Sequence, residues 1–407
     1  MRYLPTSWEN LFQRIKRLIR EYESVNWAWS SLNIAVWEPD TNPPESLRKI
    51  VAEEVLRDDN ANHTYWDNRT TWDLNKNFIE LNTWVDIDKY DHIDSLLIPG
   101  EKSMIWLLPI ACWANRDDSK LDNKWYMVNA PAYDLIATWS EYLWEESYIW
   151  PIYSYENFEL KLENMPTWVK PKMILTVKPW NPCPVWEKKE NWIKLIEYCI
   201  KNNIRLVNDW AYTSVVHKDH ISLTEVAKDY PELDWLELFS MSKTYSSCWW
   251  RFWMAVWSKD FIAEFTKIKW NADSWAFWPL IVWMDRYLQT PDAKIDSKKT
   301  TQMYKKRLDI LIPIFESAWL KLACPSDAWF FMLFKCPKFL DWEEIKSWEE
   351  FNSKMIYKVW LVGVPFVWSE IAWENEQFIR YSACYDALEQ ENVDRLKEAL
   401  SKVKIEY

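Results

Sequence analysis

Two glycines in 407 residues constrain this chain more than any other feature of it. Left-handed helix caps, type II turns and close backbone approaches need a residue without a Cβ, and ordinary usage near 7% would supply about 28 glycines in this length. Beside that deficit stand 34 tryptophans. Many occupy places where turn chemistry belongs: Trp37 in VWEPD, Trp66 in YWDN, Trp180 in KPWNP, Trp210 in NDWAY and Trp319 in ESAWLK. Taken together, and less a handful of true tryptophans, the two counts come close to the expected glycine content. Most of these tryptophans are therefore expected to be glycines, encoded by UGA in a gene that reads UGA as glycine. A genuinely Trp-rich protein is the competing reading.

The length suits one large enzyme subunit or two to three domains, and 49% apolar residues suffices for a sizeable core. Lys+Arg 49 against Asp+Glu 61 gives a net charge of −12, which argues against diffuse attraction to nucleic acid or an anionic membrane. A small or cationic partner, or a locally basic pocket, is expected instead. No run of eighteen apolar residues exists. Arg14, Lys16, Arg17 and Arg20 in LFQRIKRLIREY read as a basic amphipathic helix packed on a small domain, without a signal peptide's apolar stretch. Seven cysteines without a CxxC pair point to reduced thiols and a cytoplasmic location rather than a disulfide framework or zinc site. His217 and His220 lie in a polar stretch, and no metal site is expected of them.

Helix-like segments at 45–57, 102–112, 187–202, 259–268, 298–318 and 389–404 alternate with apolar runs at 173–177, 204–208 and 236–240. Such alternation reads as an α/β fold with a mostly parallel central sheet, whose ligands sit at the carboxyl ends of the strands. The segments that follow the three runs are KPWNP, DWAY and MSK. Residues 45–290 are expected to form the large domain and 291–407 a smaller α+β domain, which the segment 1–44 joins.

SMSKTYSSCWWRFW at 240–253, with Trp249 and Trp253 taken as glycine, resembles the cofactor-lysine segment of the class I/II aminotransferases, pyridoxal-phosphate enzymes of fold type I. Lys243 matches the lysine and Arg251 the phosphate-binding arginine; Ser240 and Ser242 belong to the same motif. A lysine that condenses with an aldehyde must be held deprotonated, which neighbouring positive charge favours. Asn181 in KPWNPCPVW resembles the family's asparagine donor to the cofactor's phenolic oxygen. Asp209 and Tyr212 in NDWAY resemble its D-x-x-Y, in which the carboxylate keeps the pyridine nitrogen protonated and the tyrosine bonds the phenolic oxygen. Gly100, Glu101, Lys102 and Ser103 resemble the phosphate loop, Tyr133 the aromatic stacked on the ring, and Tyr65 a tyrosine that reaches the partner subunit's phosphate. NADSW at 271–275 resembles a stretch near the dimer interface. Arg380 in FIRYS and the backbone at Trp37 match the substrate-carboxylate site. Trp250 matches a true tryptophan of the family. Cys183 stands where the family has threonine.

The resemblance runs from about residue 30 to 385. It implies a homodimeric aminotransferase that moves an amino group between an L-amino acid and a 2-oxo acid, with 2-oxoglutarate/glutamate as one pair, through a Schiff base on Lys243. A C–S lyase or other α,β-eliminating enzyme of the same fold is the alternative, and a non-catalytic Trp-rich binding protein a remote one. The donor stays open among aspartate, aromatic, alanine and diaminopimelate classes, with a slight lean to the last.

Overall fold

A computed structural model describes residues 11–26, 31–35, 38–59, 72–100, 104–105, 107–111, 125–129, 146–154, 158–167, 171–179, 181–217, 220–272, 278–367 and 377–407. A short strand, β1 (Leu32–Asn33), precedes the central sheet of β2 (Ile93–Ile98), β3 (Trp125–Asn129), β4 (Glu146–Trp150), β5 (Met173–Thr176), β6 (Arg205–Trp210), β7 (Trp235–Ser240) and β8 (Trp253–Ser258). The order across the sheet is β2-β8-β7-β6-β5-β3-β4, and only β8 runs against its neighbours. The three apolar runs seen in the sequence are β5, β6 and β7. Every residue of these strands is buried, as a parallel sheet covered on both faces requires.

The helix Lys189–Asn202 carries the chain from β5 to β6 and buries Trp192, Leu195, Ile196 and Cys199, one face at helical spacing. Asn203 ends it in the left-handed conformation, φ 54. Between β6 and β7 the helix Leu223–Ala227 starts on a capping box formed by Ser222 and Glu225. The helices Glu45–Val55, Lys259–Ala272, Pro291–Ser317 and Gln390–Ser401 also fall where periodicity places them. Of the segment 102–112, the described residues hold the short helix Leu108–Ala111.

Beyond the 27-residue helix Pro291–Ser317 lie β9 (Phe331–Lys335), β10 (Phe339–Leu340), β11 (Glu343–Glu344), β12 (Leu361–Val362), β13 (Val364–Val367), β14 (Gln377–Ser382) and β15 (Ile405–Glu406). β13, β14 and β9 form an antiparallel sheet. The N-terminal segment packs here: β1 pairs with β12, and Ser382 N–H donates to Ile34 O at 2.8 Å. Ile15 and Tyr22 of the helix Leu11–Asn26 share a cluster with Ile356, Val362 and Val364. Arg307 grips Asp40 at 2.7 and 2.9 Å and Asp386 at 2.8 Å. Among the described residues no helix is long and apolar enough to cross a membrane.

The tryptophans fall into two groups. Trp84, Trp319, Trp329, Trp342 and Trp360 take positive φ, between 57° and 70°. Trp210 and Trp253 differ from the turn positions expected of them: they lie within β6 and β8, buried and without positive φ. The reason is strand geometry, which carries the extended backbone one residue past Asp209 and starts β8 two residues after Arg251.

Candidate active site

Three parallel strands end side by side and bring Asn181, Asp209 and Lys243 to one edge of the sheet. In the ladder Thr176 of β5 faces Asn208, and Asp209 faces Leu238 of β7. Asn181 then lies five residues past β5 and Lys243 three past β7. All three side chains are buried, Lys243 at 8% exposure. Lys243 Nζ lies 3.3 Å from Cys248 Sγ, which also donates to Ser242 O at 3.4 Å. Ser240 N–H donates to Thr213 Oγ1 at 3.0 Å and Ser242 N–H to Ser240 Oγ at 3.1 Å. The Ser242 hydroxyl itself is buried with no hydrogen-bond partner.

At the next corner β2 meets β8, with Ile98 opposite Trp253. Gly100 follows β2 at φ +112, and a Cβ there would stand 2.2 Å from Arg251 Nη2. Glycine is thus required twice, by its dihedral and by the guanidinium against it. Arg251 takes φ 56 and donates from Nη1 to Cys248 O at 3.2 Å.

Arg380 comes from the other sheet, in the middle of β14, and is 0% exposed. Its guanidinium lies 4.0 Å from the centre of the Phe331 ring, and Nη1 donates to Asn181 Oδ1. Nε and Nη2 have no hydrogen-bond partner among the described residues. Burial pulls its pKa down to about 10, opposed by Tyr212 and Cys384, so it remains a cation at neutral pH. Tyr212 is buried with its ring stacked on Trp329, centroids 3.4 Å apart. Asn181, Asp209, Tyr212, Ser240, Ser242, Lys243, Arg251, Gly100 and Arg380 are therefore placed by the described structure. Trp37, Tyr65, Glu101, Lys102, Ser103, Tyr133, Trp180 and residues 273–275 lie outside the described residues.

Sequence reasoning missed a polar layer behind the strand ends. Asn208 alternates with Asp209 along β6 and so faces the other way. Its amide bonds to Lys178, Thr176 and Glu237. Burial pushes the Glu237 carboxyl up to about 7 against four donated hydrogen bonds that hold it down. Lys178 pairs with Glu187 at 2.8 Å with both side chains buried, and burial lowers the Lys178 pKa while Glu187 opposes it. Tyr153 OH and Asn191 Nδ2 donate to Glu187 at 2.8 and 2.6 Å. Local sequence offered no signal for it, since Asn208 and Glu237 share their strands with other polar residues such as Arg205, Asp209 and Ser240.

An aldehyde-bearing aromatic phosphate matches this donor set in kind. Lys243 offers an amine, Ser242 an unpartnered hydroxyl, and Arg251 a cation held against a loop glycine. A carboxylate, Asp209, stands on the central strand β6, between the strands that lead to Asn181 and to Lys243.

Residues 32–400 match the family model described as aminotransferase class I and II. The chain belongs to that family and is a pyridoxal-phosphate-dependent aminotransferase of fold type I. An LL-diaminopimelate aminotransferase of Methanocaldococcus jannaschii is 23% identical, over 97% of this chain and 90% of its own. Another, of Nitratidesulfovibrio vulgaris, is 26% identical over 91% and 90%. Among solved structures, substrate-bound BacF from Bacillus subtilis superposes with a TM-score of 0.80 at 19% identity, covering 99% of this chain and 98% of that one. The aspartate aminotransferase of Rhizobium meliloti gives 0.79 at 16% identity, with 98% of each chain covered.

Proposed function

We propose that this aminotransferase takes its amino group from LL-diaminopimelate or a similarly long aminocarboxylate and passes it to 2-oxoglutarate. The observation that carries the site assignment is Arg380: a wholly buried guanidinium, anchored by Asn181 at one nitrogen, with two further donor nitrogens unfilled. That arrangement suits a substrate α-carboxylate, which accepts two hydrogen bonds from an arginine fork. The choice of donor is supported by the names of the curated relatives.

Bound pyridoxal phosphate supplies an aldehyde for amines and a ring that takes up the electrons left when the Cα–H bond breaks. Lys243 Nζ is the attachment point and the base that takes the α-proton. Asp209 holds the proton at the ring nitrogen. Asn181 and Tyr212 orient the phenolic oxygen. Ser240, Ser242, Arg251 and the loop of Gly100, Glu101, Lys102 and Ser103 would hold the phosphate, and Tyr133 would pack on the ring. Arg380, with the backbone at Trp37, would bind and orient the substrate carboxylate. Tyr65 serves across the interface of a homodimer, in a cytoplasmic protein divided as 1–44 with 291–407, and 45–290. A panel of amino donors with 2-oxoglutarate tests the substrate: LL-diaminopimelate should give the highest kcat/KM, and aspartate or an aromatic donor in first place would refute the choice.

We further propose that most of the tryptophans are glycine in the natural protein. Two features support it. Among the described residues, five of the eleven non-glycine residues at positive φ are Trp84, Trp319, Trp329, Trp342 and Trp360. Tryptophan is 34 of 407 residues, so chance would place about one there, and bulky side chains disfavour such angles. Second, the indole N–H of Trp210, Trp235, Trp253, Trp257, Trp283 and Trp329 is buried with no hydrogen-bond partner among the described residues, whereas buried indoles ordinarily find one. Trp192 shows the ordinary case, donating to Ile221 O at 2.8 Å. The gene should carry UGA at Trp37, Trp180, Trp210, Trp249, Trp253 and the five positive-φ positions, and UGG at Trp250. An intact mass equal to the written chain's 49.6 kDa would refute this.

A further inference from the structure

Behind the strand ends, a single side chain ties the loop that carries Asn181 to the strand that carries Asp209. Asn208 Oδ1 accepts from Lys178 N–H at 2.9 Å and from Thr176 Oγ1 at 3.0 Å. Its Nδ2 donates to Lys178 O at 3.1 Å and to Glu237 Oε1 at 2.7 Å. These four bonds use the full capacity of an asparagine amide. Two of them close on the same residue, Lys178, from both sides of its main chain, just where the chain leaves β5 and turns toward Asn181. Glu237 sets which way the amide faces, because only an NH2 group can donate to its carboxylate. The carboxylate in turn accepts from Leu223 N–H at 3.0 Å, Thr224 N–H at 2.7 Å and Thr224 Oγ1 at 2.7 Å, so the start of the next helix braces it. Asn208 and Glu237 are each 0% exposed.

We propose that Asn208 and Glu237 are positioning residues of the transamination site, fixing Asn181 and Asp209 relative to one another through the main chain of Lys178. The inference rests on the placement of the cofactor between Asn181 and Asp209. Neither residue touches substrate or cofactor. The Asn208 side chain is thus linked to Asp209 through the peptide bond and to the Asn181 loop through its two hydrogen bonds with Lys178. Buried polar groups satisfied at every atom are the kind of support that holds a functional constellation within a fraction of an ångström.

The test compares Asn208→Ala and Glu237→Gln with Asn352→Ala. Asn352, a buried amide at 2% exposure on the helix Trp348–Val359, accepts from Gly363 N–H at 2.9 Å and has no hydrogen bond to β5, β6 or β7 among the described residues. Each protein is measured for thermal unfolding, for the dissociation constant of pyridoxal phosphate, and for the pH midpoint of the visible band of the bound cofactor. Asn208→Ala should weaken cofactor retention about tenfold or more and move the midpoint. Asn352→Ala should lower the melting temperature with neither effect. Asn208→Asp should not rescue, since it sets a carboxylate against Glu237. Should Asn208→Ala not fold, Glu237→Gln decides, because it keeps the volume and turns one acceptor into a donor facing Thr224 N–H: a moved midpoint supports the inference, an unmoved one overturns it. Cofactor behaviour in the Asn208 and Glu237 variants matching the Asn352 control would also overturn it. A parent protein without a cofactor band would instead defeat the reading of the site itself.

Discussion

The ends of β5, β6 and β7 and the ends of three helices make opposite cases. At the strand ends side chain and backbone agree: Asp209, Asn181 and Lys243 are buried, and Gly100 sits where nothing larger fits. After the helices Trp72–Thr83, Pro291–Ser317 and Trp348–Val359 they disagree. Trp84, Trp319 and Trp360 take left-handed angles, each closing its helix by a main-chain bond that a glycine cap would make, with the first two rings about three-quarters exposed. The backbone in both places is what this fold requires. At these three helix ends tryptophan stands where the backbone favours a residue without a Cβ.

The comparison breaks most sharply at Lys243. Lys243→Ala should lose transamination by several orders of magnitude, because the attachment point and the base vanish together. Borohydride reduction of the parent should label Lys243, and labelling of another lysine would refute the strand-end assignment. Arg380→Ala comes next. It should lower kcat/KM for amino acid and oxo acid alike, by about 2–5 kcal/mol in transition-state binding, with cofactor affinity kept. Equal kinetics for an acid and its amide in the parent would refute it.

At the helix ends the sign reverses. Trp84→Gly, Trp319→Gly and Trp360→Gly should each stabilise the written chain by about 1 kcal/mol, since a left-handed residue with a Cβ costs about 1–2 kcal/mol. Thermal unfolding of the three variants measures it, and a uniform loss of stability would favour genuine tryptophans.

The smallest expected effect concerns pH. Burial, reinforced by Lys178, pulls the His220 imidazole from 6.5 down to about 3. A lowered pKa means its share of stability is present above pH 6.5 and is lost as the pH falls toward 3. Glu237, raised from 4.5 to about 7, contributes below 4.5 and fades as the pH rises to 7, so the limb below pH 4.5 excludes Glu237. The lowered carboxylates Asp341, Glu343 and Glu350 titrate there in parent and variant alike, and the difference between the two reads His220. His220→Gln, whose amide oxygen can still accept from Glu187 N–H, should unfold at a lower pH than the parent.

Much of the site was legible because its residues follow strands at short, characteristic spacings. Lys243 and Arg251, eight apart, both lie in one loop closed by Met241 N–H on Phe252 O at 3.4 Å, so local distance in sequence is distance in space. Arg380 was legible only through family resemblance. Nothing in FIRYS says that β14 will set its guanidinium against Asn181, 199 residues away in sequence. The Asn208 and Glu237 layer was not legible at all, because a polar residue inside an apolar strand has the same local signature whether it faces a cofactor or braces a neighbour.

By itself the sequence determined the alternation of strands and helices, the strand-end placement of Asn181, Asp209 and Lys243, and the glycine deficit, since each depends on propensity, period or count over a few residues. Tertiary structure alone decided which strands adjoin, that Arg251 packs on Gly100, and that Arg380 is buried over Phe331 with two donors unfilled. Those are contacts between segments far apart in the chain. Their geometry is set by how the central sheet and the β14 sheet pack, and no local pattern carries it.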